Sequence, residues 1–194
     1  MDIINLANGR RRERETLADT IRKKIKVDDE YTTPAWAVDV ILPYVPPEAK
    51  VWCPFDKEDS NYVRRLGETG RTVVRSHIEE EGGNFFLMDV PEGVDCIVSN
   101  PPYSTRDKVL ARLYEIGLPF AMLMNTMGIC DSKARVTLFT QYGVEFMYIY
   151  PRIRFLKNGK LTKANISQSA YVCWKLLPKE LMIQVEENSI AKSV

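Results

Sequence analysis

The amino-acid sequence predicts one α/β domain built on a doubly wound, mostly parallel sheet that ends in an antiparallel strand pair. Three observations carry this. Apolar runs of strand length alternate with segments of helical spacing between Lys50 and Gln141. Proline or glycine punctuates the junctions between them. The last two β-rich runs follow one another without a helix, whereas a parallel return normally needs a crossover of about a dozen residues or more. At 194 residues the chain is long enough for one substantial core, and no shift in composition marks a second domain.

Residues 1–27 read as a charged helical extension in which Leu17, Ile21 and Ile25 form a narrow apolar stripe suited to docking on the domain or on a partner. The domain itself is expected over residues 28–177. Thr33 offers an N-cap oxygen ahead of Pro34, whose missing N–H costs nothing at the first helical position. Trp36, Ala37, Val40 and Ile41 then supply a buried face, and Pro43, Pro46 and Pro47 end the helix. Lys50–Cys53 reads as a short buried strand. A helix carrying Tyr62, Val63 and Leu66 follows, stops at Gly67 and Gly70, and leads to the strand Thr72–Ser76, which completes a βαβ unit. Val94–Ser99, a helix over 106–116 and the wholly apolar Phe120–Met124 repeat the pattern. After a helix near 132–141, Val144–Tyr150 and Ser169–Leu176 form the antiparallel pair, and residues 178–194 are left as a C-terminal tail.

Lysine plus arginine (27) nearly balances aspartate plus glutamate (26), so global charge gives no reason to expect a polyanionic partner. The densest basic stretch is Arg10, Arg11, Arg12, Arg14, Arg22, Lys23, Lys24 and Lys26, broken by Glu13, Glu15 and Asp19; a solvated helix face explains it most simply. Cys53, Cys96, Cys130 and Cys173 lack paired spacing, and three of them fall in apolar runs, which suits reduced core thiols rather than disulfides or a metal site. No signal peptide or membrane span is visible, so a cytoplasmic protein is expected, with no membrane contact.

The chemistry concentrates in Ser99-Asn100-Pro101-Pro102-Tyr103-Ser104, at the carboxyl end of a central strand where open α/β sheets bind ligands. Two consecutive prolines fix φ and remove backbone N–H groups, leaving carbonyls and the Asn100 side chain as rigid acceptors. Two acceptors facing one point suit a planar NH2 group. Its lone pair is delocalised into a ring, and paired acceptors draw the nitrogen toward the tetrahedral geometry that attack on a methyl sulfonium requires. Tyr103 is placed to stack on a flat substrate. A proline-rich turn held by an asparagine has the same composition, but the strand–loop–helix context favours chemistry.

This loop resembles the Asn-Pro-Pro-Tyr motif of S-adenosylmethionine-dependent amino-methyltransferases, a group that includes adenine-specific (N6) DNA enzymes, RNA adenine enzymes and glutamine methyltransferases of release factors. The resemblance implies a Rossmann-like methyltransferase domain in which Asn100 and the Pro101 carbonyl, with Pro102, hold the target amine and Tyr103 stacks on it. It covers most of residues 28–176. Glu30-Tyr31-Thr32-Thr33-Pro34 resembles the segment that approaches the methionine part of the cofactor, and Val51-Trp52-Cys53-Pro54-Phe55-Asp56 the strand and start of the cofactor loop. Asn84-Phe85-Phe86 is similar to the step that reads the cofactor adenine. The chain is also similar to short methyltransferase-like proteins of bacteriophages and bacterial mobile elements, which share the Cys-Pro-Phe-Asp and Asn-Pro-Pro pattern.

The resemblance thus implies S-adenosylmethionine held by Tyr31, Thr33, Pro34, Pro54, Phe55, Asp56, Asn84 and Phe85, and substrate contacts from Ser104, Arg152, Arg154 and Lys157. Two departures stand out. The loop after Phe55 reads Asp56-Lys57-Glu58-Asp59-Ser60 where the family has glycines, and Arg75-Ser76-His77 replaces the acid expected at the end of the second strand. Asp56, Glu58 or Asp59 is able to bind the cofactor ammonium or ribose, and equally to complement a helix macrodipole. The lone His77 is a poor general-base candidate, and Glu79-Glu80-Glu81 reads as a solvated loop. Arg152 to Lys160 fits phosphate contact and a plain turn alike.

The expected activity is methylation of the adenine amino group in DNA. RNA adenine, a protein glutamine, or a degenerate fold that binds without catalysis are the alternatives. Little chain follows the last strand, which leaves no evident target-recognition region. Loose specificity, a partner subunit or a structured RNA substrate is therefore expected, and a partner subunit or homo-oligomer would form through the N-terminal helix.

Overall fold

The computed structural model describes residues 31–157, 160–162 and 168–185. The N-terminal extension proposed over residues 1–27, with its basic run and apolar stripe, lies outside them.

One seven-stranded sheet organises the chain. In order along the sequence come α1 (Ala35–Asp39), β1 (Lys50–Cys53), α2 (Asn61–Glu68), β2 (Thr72–Arg75), β3 (Cys96–Ser99), α3 (Arg106–Ile116), β4 (Phe120–Asn125), α4 (Lys133–Tyr142), β5 (Glu145–Tyr150), β6 (Leu156–Lys157), β7 (Lys160–Leu161), β8 (Ser169–Trp174) and β9 (Leu181–Val185). The sheet runs β2-β1-β3-β4-β8-β5-β9, and β6 pairs with β7 in a small hairpin. Pairing is parallel at β1–β2, β1–β3, β3–β4 and β5–β9, and antiparallel at β4–β8 and β5–β8.

The expected antiparallel relation of β5 and β8 is present, but a mostly parallel sheet with a single antiparallel pair at its end is not. The physical reason lies in β8. The described residues of its connection from β5 carry a hairpin and no crossover helix, and it returns reversed. It then inserts between β4 and β5, which accounts for a strand buried from Ser169 to Cys173 and for two antiparallel junctions instead of one. The edge beyond β5 is filled by β9, formed from residues read in the sequence as tail. Glu145 supports this step across the end of β5 by accepting the backbone N–H groups of Leu176 and Leu177 at 3.1 and 2.7 Å.

Strand alternation divides the core into two layers. Val51, Cys53, Val98, Ala121, Leu123, Tyr171 and Cys173 face α1 and α2. Trp52, Ile97, Phe120, Met122, Met124 and Val172 face α3. Cys53, Cys96 and Cys173 are buried free thiols, and burial pushes Cys96 up to about 12. Helix ends match local chemistry: Ser60 caps α2 by accepting from Tyr62 and Val63, and Gly117 ends α3 in the left-handed region at φ 77°. No described helix is long and apolar enough to cross a membrane.

Candidate active site

The loops leaving β1, β3 and β5 meet the segment entering α1 at the carboxyl edge of the sheet. β3 ends at Ser99, and Asn100-Pro101-Pro102 leads into a 3-10 turn over Tyr103–Thr105 and then α3. The Thr105 N–H and hydroxyl both donate to the Pro102 carbonyl, at 3.1 and 3.0 Å, and close the turn. Asn100 Nδ2 donates to Thr33 Oγ1 at 3.2 Å, which fixes the plane of the amide. Asn100 Oδ1 is buried and accepts no hydrogen bond from the described residues. Leaving such an acceptor unmet costs about 1–3 kcal/mol, an expense proteins retain where function uses the group.

Thr33 therefore has a different role from the helix cap expected of it. Pro34, extended at φ −65° and ψ 148°, occupies the N-cap of α1 without a side-chain bond, while the Thr33 hydroxyl serves Asn100 and its carbonyl accepts from Asn61 Nδ2 at 2.7 Å. Long-range partners here replace the local one. The neighbouring Thr32 exchanges both backbone hydrogen bonds with Leu156, at 2.8 and 3.0 Å, which brings the α1 entry against the chain after β5. Phe155, buried at this junction, lies 6.2 Å from the Tyr31 ring and 6.4 Å edge-on from Tyr103. Phe155 falls within the Arg152–Lys160 segment that reads as phosphate contact or a plain turn, and nothing in the sequence singles it out.

The loop after β1 is built around a carboxylate where backbone-exposing glycines were expected. Pro54 is buried, Phe55 is half-buried, and Asp56 is 7% exposed. Asp56 Oδ1 accepts from Ser60 Oγ at 2.6 Å and Oδ2 from Ser99 Oγ at 2.5 Å. Burial raises its pKa from 3.8 to about 6 against the lowering effect of those two bonds. Cys53, Tyr62 and Tyr171, the ionisable groups that feel its charge, are themselves pushed upward and neutral.

A raised folded-state pKa means that the protonated carboxyl favours folding. This contribution is complete below about pH 4 and is lost as pH rises through about 6. Asp56→Asn removes the buried charge, so its stability advantage over the parent is expected to open as pH rises from 4 to 8, by as much as about 3 kcal/mol. Urea denaturation at the two pH values measures it, and a pH-independent difference would show that the carboxyl is solvated.

Asn84 and Phe85 are placed differently from one another. Asn84 Oδ1 accepts the Phe86 N–H at 3.0 Å in a local turn. Phe85 is a core residue, 2% exposed, with Trp52, Phe55 and Phe86 ring centroids 5.5, 4.9 and 5.3 Å away. Buried Arg112 holds its backbone, donating from Nε to the Phe85 carbonyl at 2.7 Å and from its terminal nitrogen to the Met88 carbonyl at 2.7 Å. Phe55 keeps more ligand-accessible surface than Phe85.

At the end of β2, Arg75 pairs with Glu80 at 2.5 Å and reaches Glu58 at 3.5 Å, and Lys57 pairs with Glu79 at 2.8 Å. The acidic run is exposed, as expected, and it also supplies partners to two cations; His77 Nδ1 accepts from the Glu79 N–H at 3.3 Å. These groups line an open, charged depression. Ser104, Arg152 and Arg154 are exposed on the loops after β3 and β5; Arg154 Nε donates to the Thr162 carbonyl at 3.2 Å. Lys157 lies on β6, and only its backbone is described.

No protein-family model and no curated protein sequence matches the chain. Among solved structures it is similar to a type I restriction enzyme modification subunit from Vibrio vulnificus YJ016, with a TM-score of 0.51 and 11% identity over 84% of this chain and 48% of that one. The chain therefore spans about half the length of that subunit. It is also similar to precorrin-6y C5,15-methyltransferase from Geobacter metallireducens GS-15, with a TM-score of 0.43 and 11% identity over 76% of this chain and 94% of that one. With its mixed sheet covered on both faces, the chain has an α/β Rossmann-like fold shared with the modification subunit.

Proposed function

We propose that the protein transfers a methyl group from S-adenosylmethionine to the exocyclic amino group of adenine in DNA. The observation that carries this reading is the buried Oδ1 of Asn100, which accepts no hydrogen bond from the described residues, in a double-proline loop at the carboxyl end of β3. An acceptor held there by Thr33 accepts a hydrogen bond from one N–H of an aromatic amine while the Pro101 carbonyl accepts from the other, which turns the nitrogen lone pair toward in-line attack. Tyr103 stacks on the base. When bound, S-adenosylmethionine supplies the methyl group on a sulfonium. Thr33 and Phe55 are the residues we assign to that ligand; Asp56, whose two oxygens are taken by Ser60 and Ser99, supports the site from behind. The fold likeness to a restriction enzyme's modification subunit supports DNA as the polymer. A partner subunit or second copy, engaged through the N-terminal extension, would supply sequence reading.

Burial of Phe85 and the loop without glycine favour a second reading, a module that binds without catalysis. Methyl-labelled S-adenosylmethionine separates the two. The label is expected to pass to DNA, with single strands methylated at least as readily as duplex because unstacking costs less. A folded protein that binds the cofactor yet labels no polymer would be the binding module.

A further inference from the structure

Asp56 belongs to a closed ring of side chains that returns to Asn100 from both sides. In one direction Asn100 Nδ2 donates to Thr33 Oγ1, and Asn61 Nδ2 donates to the Thr33 carbonyl. Asn61 follows Ser60, whose Oγ caps α2 and donates to Asp56 Oδ1. In the other direction Asp56 Oδ2 accepts from Ser99 Oγ, and Ser99 precedes Asn100. The ring therefore ties the entry to α1, the N-terminus of α2 and the end of β3 into one unit. Asp56 is its ionisable member, and it joins two hydroxyls that belong to different elements.

We infer that Asp56 is a positioning residue for Asn100, acting through this ring without touching the substrate. Both carboxylate oxygens are engaged within the protein, and the residue is buried. Ser60 Oγ already accepts two backbone N–H groups and so needs an acceptor for its own proton, which Asp56 provides. Without that acceptor the α2 cap loosens, Asn61 loses its hold on Thr33, and Thr33 no longer sets the plane of the Asn100 amide. A terminal amide in place of the carboxylate keeps the ring, since its oxygen accepts from Ser60 and its NH2 donates to Ser99.

The inference rests on the proposed methyl transfer only for its activity readout, so the test carries a second one. In a 15N-labelled full chain, Asp56→Ala is expected to shift the side-chain amide signals of Asn100, assigned by their loss in Asn100→Ala. Turnover at saturating cofactor is expected to fall at least about tenfold, as for any misplaced reacting group, while KM for the cofactor changes little. Asp56→Asn is expected to restore both the signals and most of the turnover. Should Asp56→Ala fail to fold, Ser99→Ala and Thr33→Val open the ring at single bonds and are expected to move the same signals. Unchanged Asn100 signals in the folded variants would overturn the inference. So would an Asp56→Asn variant as impaired as Asp56→Ala, because the charge and not the ring would then matter. If the parent methylates nothing, the proposed function fails while the amide signals still decide the ring.

Discussion

Phe85→Ala is expected to cost about 3–5 kcal/mol of folding stability, the usual range for emptying a buried aromatic site. The side chain fills the space between Trp52, Phe55 and Phe86, and the Arg112 guanidinium lies 5.5 Å from its ring centroid. A void there also exposes the Arg112 bond to the Phe85 carbonyl. Such a loss approaches the whole margin of a small domain, so the variant is expected to be partly unfolded at 37 °C. Urea denaturation measures it. A loss below about 1 kcal/mol, combined with weakened cofactor binding, would return Phe85 to the ligand site that the resemblance implied for it.

Asn100→Ala is expected to lower methyl transfer by roughly 10²-fold or more, because it removes a contact made strongest in the transition state. Stability is expected to stay level or rise, since the substitution also removes a buried acceptor that has no partner in the described residues. The parent's cofactor affinity is expected to persist. Loss of rate without loss of stability or cofactor affinity is what separates a substrate-activating group from a structural one. Steady-state kinetics with calorimetry of cofactor binding measures all three. Parental turnover in this variant would remove Asn100 from the chemistry.

Much of the fold was legible because its central strands are short apolar runs between strong breakers. Lys50–Cys53 appears as read, Cys96–Ser99 and Phe120–Asn125 lie within two residues of the expected Val94–Ser99 and Phe120–Met124, and helices α3 and α4 lie within a residue or so of their expected bounds. The position of β8 was not legible. Periodicity shows that a segment is a strand, and connection length shows its direction, but neither shows which neighbours it slides between. Leu181–Val185 reads as part of the C-terminal tail in the sequence, and its parallel register with β5 identifies it as a strand.

The site divides in the same way. Asn100, Pro101, Pro102 and Tyr103 were visible because a rigid loop announces itself locally. Thr33 was visible with the wrong local role, since its partner Asn100 lies 67 residues away. Asp56 reads in the sequence as a cofactor contact or a partner of a helix macrodipole; its burial is not legible there, because it depends on the hydroxyls of Ser60 and Ser99. Phe155 had no period or motif to mark it, and it is placed by the backbone exchange between Thr32 and Leu156.

The most direct measurement is mass spectrometry of nucleosides from DNA and RNA incubated with the full chain and S-adenosylmethionine carrying a deuterated methyl group. The proposed chemistry predicts labelled N6-methyladenine from DNA, at a level that collapses in Asn100→Ala. Label on another nucleoside, label on protein glutamine alone, or labelled N6-methyladenine formed equally by Asn100→Ala would contradict it.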